Sequence, residues 1–276
     1  MGFTDMSIWY RSGEWIDGEV ALPVDDLGVF QGVIAVERLR TYSSRVFRLD
    51  DHLDRLRRTT SLLSIDAGPA IDAMPACIEE LLRINAAPPD VGITSLITPG
   101  KLRDRTPTVI AHLAPLDLAR LQRLQSEGEA LVVTSVIQPP DESIPRAAKH
   151  RSRIHYYLAG EQSRQIDPSA TAVLVDTDGS LTETASANIL LVRDGCIYSA
   201  PPHRVLPGVS LGVVRQLADE AGIAWRDQPL EPAMFAAADE ILLTGTGAGI
   251  WFGNNRSGPI YRQLAAAFRA LTGESQ

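Results

Sequence analysis

Lys149 is where chemistry is most readily built from this sequence. It follows Ser143-Ile144-Pro145-Arg146-Ala147-Ala148 and stands in a basic run with Arg146, His150, Arg151 and Arg153. Neighbouring cations depress a lysine pKa, and a neutral ε-amine is a nucleophile toward an aldehyde near neutral pH. A solvated basic face would show the same run, so spacing leaves both readings open. Glu183 lies in Leu181-Thr182-Glu183-Thr184-Ala185-Ser186-Ala187-Asn188, directly ahead of the apolar run Ile189–Val192. A carboxylate placed there can be partly desolvated; a turn glutamate in water is the plain alternative. Leu206-Pro207-Gly208-Val209-Ser210 opens a helix whose free N–H groups and hydroxyl suit an anion such as phosphate, or serve as a simple cap. Thr244-Gly245-Thr246-Gly247-Ala248-Gly249 follows the strand residues Ile241–Leu243 and offers a second anion nest. Its glycines do not form a dinucleotide fingerprint, because no acidic residue follows about 20 residues on and Trp251-Phe252 replace the helix. Arg55 shares a helix face with Asp51 and His52 and is placed for an i,i+4 pair. One lysine, one sheltered glutamate, two hydroxyl-bearing nests and a helical arginine are the set that a phosphate-bearing aldehyde with a pyridine ring requires.

The elements that must position these residues read as follows. Ser7–Tyr10 and Glu19–Leu22 are short strands around the turn Asp17-Gly18. Val33–Thr41 is a strand turned by Tyr42-Ser43-Ser44 into Val46–Leu49. A helix capped by Asp50 follows, with Leu53, Leu56, Thr60 and Leu63 at three- and four-residue spacing. Ala70–Asn85 is a second amphipathic helix. Val91–Ile97 and Thr108–Leu113 are strands flanking Pro99-Gly100. The helical stretch Leu116–Ser126 separates two halves. In the second half, strands are expected at Ala130–Ile137, Thr171–Asp176, Ile189–Val192 and Ile241–Thr244, and helices near His150–Gln165, Ser210–Ala221 and Pro259–Leu271. Hairpin-like strand spacing with irregularly interspersed helices argues for an α+β chain of two lobes rather than a doubly wound parallel sheet.

The chain's 276 residues carry 26 Lys+Arg against 34 Asp+Glu, a formal charge of −8. An acidic balance speaks against sequence-independent nucleic-acid binding, which needs a basic face. Cys77 and Cys196 are too few for a disulfide framework or a structural zinc site and read as buried reduced thiols. No apolar run approaches the ~18–20 residues of a membrane span. Met1 to Arg11 has no basic stretch ahead of an apolar core, so no signal peptide is expected. The sequence therefore reads as soluble and cytoplasmic, without metal.

The motifs, in their order, resemble the class IV pyridoxal-phosphate aminotransferases, a family of branched-chain aminotransferases, D-amino-acid aminotransferases and aminodeoxychorismate lyase. The resemblance runs through Asp26–Tyr42, Phe47–Leu56, Lys149–Arg153, Leu181–Ile189, Leu206–Ser210 and Ala238–Thr246. It implies a two-lobed type IV α+β fold: a small N-terminal α/β lobe, 1–118, and a larger C-terminal lobe, 119–276, with a mixed, barrel-like sheet and the cofactor lysine. It implies pyridoxal 5'-phosphate in a cleft between lobes, and a homodimer whose partner lobe completes the pocket. By position, Lys149 would join the cofactor and move the proton between substrate and cofactor. Glu183 would keep the pyridine nitrogen protonated. Arg55, Val209, Ser210, Gly245 and Thr246 would hold the phosphate end.

Departures fall on the substrate side. Asp26-Leu27-Gly28 replaces an Asp-Arg-Gly pattern, Val36 stands where an aromatic residue usually lines the pocket, and Ser152 replaces an asparagine. Val36, Gly247, Arg103 and Arg105 are the candidate substrate residues, the two arginines as bidentate carboxylate binders or as solvated loop charges. The leading expectation is a transaminase of branched-chain type acting on an amino acid and a 2-oxo acid. A lyase that eliminates pyruvate, suggested by Lys149-His150 with Arg153, a D-amino-acid aminotransferase, and a cofactor-binding scaffold without turnover are the alternatives.

Overall fold

The computed structural model describes residues 7–273. Residues 1–6 and 274–276, which include part of the stretch read for a signal peptide and the ends of the two expected lobes, lie outside the described residues. The chain divides into two compact units, one of residues up to Leu116 together with Ala148–Ser152, the other of Asp117–Ala147 and the chain from Arg153.

The first unit holds β1 (Ile8–Arg11), β2 (Glu14–Asp17), α1 (Leu27–Phe30), β3 (Ala35–Tyr42), β4 (Arg45–Val46), α2 (Leu49–Leu62), α3 (Gly68–Asp72), α4 (Met74–Ile84), β5 (Gly92–Thr98) and β6 (Thr108–Ala114). Its six-stranded antiparallel sheet has the order β2-β1-β6-β5-β3-β4. The first hairpin turns at Ser12-Gly13, not at Asp17-Gly18: both residues have positive φ, which matches the twist of a two-residue hairpin, so β2 occupies Glu14–Asp17 and no strand forms at Glu19–Leu22. The second strand of the Ser43-Ser44 hairpin stops at Val46, and Leu49 already belongs to α2. Arg48, in a left-handed conformation with no side-chain cap, stands at the start of α2 in place of the expected Asp50. The single helix expected over Ala70–Asn85 is broken into α3 and α4, because Pro75 has no N–H to continue the ladder.

Strand alternation sorts this sheet into two faces. Ala35, Leu39, Ile93, Ile97, Val109, Ala111 and Leu113 form the core with Leu53 and Leu56 of α2 and Ile78 and Leu81 of α4. Val36, Arg38, Thr94, Leu96, Ile110 and His112 alternate onto the other face. The segment around Lys149 lies along the edge of β3: Val36 N donates to Lys149 O (2.9 Å), Arg151 N donates to Ile34 O (3.0 Å), and His150 bridges Ala35. That pairing keeps His150 extended and delays the expected helix to Ile154.

The second unit contains α5 (Leu118–Glu127), β7 (Leu131–Ile137), α6 (Ile154–Ile166), β8 (Thr171–Val175), β9 (Leu181–Thr184), β10 (Asn188–Arg193), β11 (Cys196–Ser199), α7 (Val209–Glu220), β12 (Trp225–Asp227), α8 (Pro232–Ala237), β13 (Glu240–Gly245), β14 (Gly249–Phe252) and α9 (Pro259–Thr272). Its eight-stranded sheet is mixed: β7–β8 and β11–β12 are parallel, the other pairs antiparallel. A lone bridge between Glu129 and Gly253 links the start of β7 to the end of β14. The sheet is therefore barrel-like without closing into a barrel. Strands β9, β11, β12 and β14 are additions to the sequence reading. Cys196 is buried, whereas Cys77 is half-buried, with its thiol pushed up to about 11 by burial. Among the described residues, no helix is long and apolar enough to cross a membrane.

Candidate active site

In the first unit, Lys149 is half-buried, with its backbone pinned on two sides: its N–H donates to Thr59 Oγ1 of α2 (3.1 Å) and its carbonyl accepts from Val36. Ser152, the substituted position, donates its hydroxyl to Gly32 O at 2.6 Å. Val36 is buried beside this segment. Arg55 is also buried, but its partner is not the expected Asp51. Its Nε and Nη2 donate to Glu37 Oε2 (2.9 Å) and Oε1 (2.6 Å), while His52 Nδ1 stands 3.0 Å from Oε1. Burial alone would raise the Glu37 pKa. The Arg55 charge and the hydrogen bonds from His52 and Arg55 outweigh it and bring the carboxyl down to about 2. Asp51 meets Arg48 instead, at 3.8 Å. Arg103 and Arg105 lie on an exposed loop.

In the second unit, β9 places Glu183 inside the sheet, where it is buried. Gln138 Nε2 (3.0 Å) and the Tyr156 hydroxyl (2.6 Å) donate to Oε1; Asn188 Nδ2 (3.2 Å) and the backbone N–H of Leu206 (3.1 Å) donate to Oε2. All four are donors, as an acceptor-only carboxylate requires. Burial first, then the charge of Glu183, pushes the Tyr156 phenol well above its ordinary range, so it remains a donor. Gln138 and Tyr156 are absent from the sequence reading. Tyr156 falls in a helix expected there, but no pattern separates it from Tyr157, which is exposed.

The two anion nests also belong to this unit. Gly208 precedes α7 with no side-chain cap, leaving the first N–H groups of Val209 and Ser210 to another acceptor. Ser210 is buried. Thr244-to-Gly249 is the β13–β14 hairpin: Gly245 pairs Gly249, Thr246 and Gly247 are half-exposed, and a Cβ at Gly247 would meet nothing within 4 Å. Among the described residues, Thr244 Oγ1 and Gln138 Oε1 are buried polar atoms without a hydrogen-bond partner. A buried carboxylate for a ring nitrogen, an uncapped helix start for a phosphate and orphaned polar atoms beside both fit a phosphorylated pyridine. Among the described residues, no His/Cys/Asp/Glu group could hold a metal ion.

Comparison with known proteins agrees with this donor set. Residues 35–254 match the family described as amino-transferase class IV. The branched-chain-amino-acid aminotransferase of Salmonella typhimurium is 27% identical over 98% of this chain and 94% of its own length. A branched-chain-amino-acid aminotransferase-like protein of Arabidopsis thaliana is 26% identical over 95% of this chain, which spans 51% of that longer protein. A crystal structure of the Escherichia coli branched-chain amino acid aminotransferase superposes with a TM-score of 0.89 at 24% identity, covering 98% of this chain and 96% of that one. The branched-chain aminotransferase of the thermophilic archaeon Thermoproteus uzoniensis, solved with norvaline, superposes with a TM-score of 0.89 at 22% identity, covering 98% and 96%.

Proposed function

The chain belongs to the class IV amino-transferases, and on that premise we propose that it is a pyridoxal-phosphate-dependent aminotransferase that moves the amino group of a branched-chain-type amino acid to a 2-oxo acid. The observation that carries this reading is a family match spanning both Lys149 and a Glu183 carboxylate buried among four donors. When bound, the cofactor supplies an aldehyde that takes the amino group and a ring that withdraws electrons from the substrate α-carbon. Lys149 would hold the cofactor through its ε-amine and would carry the proton to and from the substrate α-carbon. Glu183, its oxygens aimed by Tyr156, Gln138 and Asn188, would keep a proton on the ring nitrogen. Arg55, the Val209 and Ser210 N–H groups, Gly245 and Thr246 would take the phosphate. Val36, Arg103, Arg105 and Gly247 contact substrate. The enzyme is cytoplasmic and works as a homodimer.

The test is covalent and spectroscopic. Wild-type protein loaded with cofactor absorbs in the visible, and borohydride fixes the cofactor to Lys149, read as added mass on the intact chain. Lys149→Ala should carry no such mass and lose at least about a thousandfold in turnover. Equal labelling of the variant overturns the assignment. An amino-donor panel should bleach the visible band with branched-chain donors. Pyruvate release from aminodeoxychorismate without that bleaching would replace the transaminase with the lyase.

A further inference from the structure

Arg146 stands in the basic run beside Lys149, yet its charge is matched within the second unit. The side chain is buried and its fork closes on Asp176: Nη1 donates to Oδ2 and Nη2 to Oδ1, both at 2.8 Å. Its Nε donates to Pro139 O (3.0 Å), and Nη1 also reaches Arg204 O (3.3 Å). The backbone N–H of Arg146 donates to Asp141 Oδ1 (2.7 Å), which fixes where the side chain starts. One guanidinium thus ties together the end of β7, the end of β8 and the segment that leads into α7.

These segments surround Glu183. Gln138, next to Pro139, donates to Glu183 Oε1, and its own N–H is held by Val175 O (2.8 Å) at the end of β8. Leu206, two residues after Arg204, donates its N–H to Oε2. Asp176 opens the turn into β9, the strand that carries Glu183, with its N–H on Ser180 O (2.7 Å). Two of the four donors on Glu183 therefore sit within two residues of a carbonyl that Arg146 holds. Arg204 in turn donates to Asp178 and to Ser180 Oγ (3.0 Å) and lies 3.6 Å from Asp176, so two arginines face two aspartates. The hydrogen bonds to Asp176 raise the Arg146 pKa against the cost of burial, and the charges of Asp176, Asp141 and Glu183 add to them. The arginine thus stands within electrostatic reach of Glu183.

We propose that Arg146 is a positioning residue for the ring-nitrogen acid: by holding Pro139 O and Arg204 O on one fork, it keeps the Gln138 amide and the Leu206 N–H on the Glu183 carboxylate. This rests on the aminotransferase reading, in which Glu183 faces the cofactor's ring nitrogen. Donors to a carboxylate favour its charged form. A proton shared between Glu183 and the ring therefore rests on the ring while the donors are in place, and moves toward Glu183 when they slip. Arginine suits the task because its planar fork addresses a carboxylate and two carbonyls together, whereas lysine keeps the charge as a single point.

The experiment is nuclear magnetic resonance of the holoenzyme, reconstituted with cofactor isotope-labelled at the ring nitrogen, whose chemical shift separates a protonated from an unprotonated ring. Wild type should show a protonated ring at neutral pH. In Arg146→Lys the titration midpoint of that nitrogen should fall by at least about one pH unit, a tenfold change in proton affinity. Asp176→Asn, which keeps Arg146 but removes the anchor of its fork, should shift the midpoint the same way. A residue that only stabilised the fold would lower the melting temperature and leave the resonance in place, so a wild-type midpoint in Arg146→Lys overturns the proposal. Should the lysine variant not fold, Asp176→Asn decides by the same criterion, and failure of both to fold makes the pair a stability element and overturns the proposal as well. An unprotonated ring in wild type would overturn the role given to Glu183 together with this inference; a protonated ring with the same midpoint in all three proteins overturns only the part given to Arg146.

Discussion

Glu37 and Arg55 show how one buried pair links pH to stability. The carboxyl lies at about 2 against an ordinary 4.5, so its folded-state pKa is depressed. Its contribution is fully present above about pH 4.5 and is lost as pH falls toward 2, and a displacement of that size corresponds to about 3 kcal/mol. Glu37→Gln should cost about 3–5 kcal/mol at pH 7, because Arg55 is then buried without its counter-charge. It should also flatten the acid limb between pH 4.5 and 2, read as urea-unfolding free energy across that window. A variant with the wild-type slope would remove Glu37 as the source. The arginine itself was legible from its helix, but its partner was not. An i,i+4 rule sees only Asp51, whereas Glu37 reaches Arg55 from a strand eighteen residues away in sequence.

At the level of elements, the start of α7 and the end of β9 meet through Asn188. Its amide donates to Glu183 Oε2 and to Leu206 O (3.0 Å). A Cβ on Gly208 would stand 2.2 Å from Asn188 Oδ1. Gly208 has ordinary extended dihedrals, so the conflict is steric, and the side-chain amide is what can give way. Gly208→Ala should cost only about 1 kcal/mol of stability, yet weaken cofactor binding about tenfold by removing one donor from Glu183 and shifting the first N–H groups of α7. Cofactor titration followed by visible absorbance measures the second effect and a thermal melt the first; unchanged cofactor affinity would refute the coupling. The motif segments around Glu183 and Gly208 were readable because glycine, hydroxyl and carboxylate types recur at helix starts and strand ends. The extended piece at Lys149–Arg151 was not. Its conformation comes from bonds to Ile34 and Val36, more than a hundred residues earlier, which local periodicity cannot register. The Ser12-Gly13 turn was misplaced for a different reason: Asp17-Gly18 carries an equally strong turn signal, and only the cross-strand register decides between them.

At the scale of the whole molecule, α6 presents apolar side chains to solvent in a pattern that a monomer does not need. Ile154, Tyr157 and Leu158 lie at i, i+3 and i+4 and are 72%, 63% and 49% exposed. Scattered exposed apolar residues are ordinary, but three on one helical stripe form a contiguous patch. If the proposed homodimer's twofold axis runs along this helix, it would set the same stripe against itself and bury apolar area on both copies at once. The charge of −8 on each copy opposes association, so salt should strengthen rather than weaken the dimer. The chain mass is 29.9 kDa; light scattering at micromolar concentration should therefore give about 60 kDa for wild type. Leu158→Glu places two new carboxylates across the axis and should return the mass toward that of one chain, with the helical circular-dichroism signal retained. A wild-type mass of one chain would end the dimer proposal. A dimer indifferent to Leu158→Glu would move the interface away from α6.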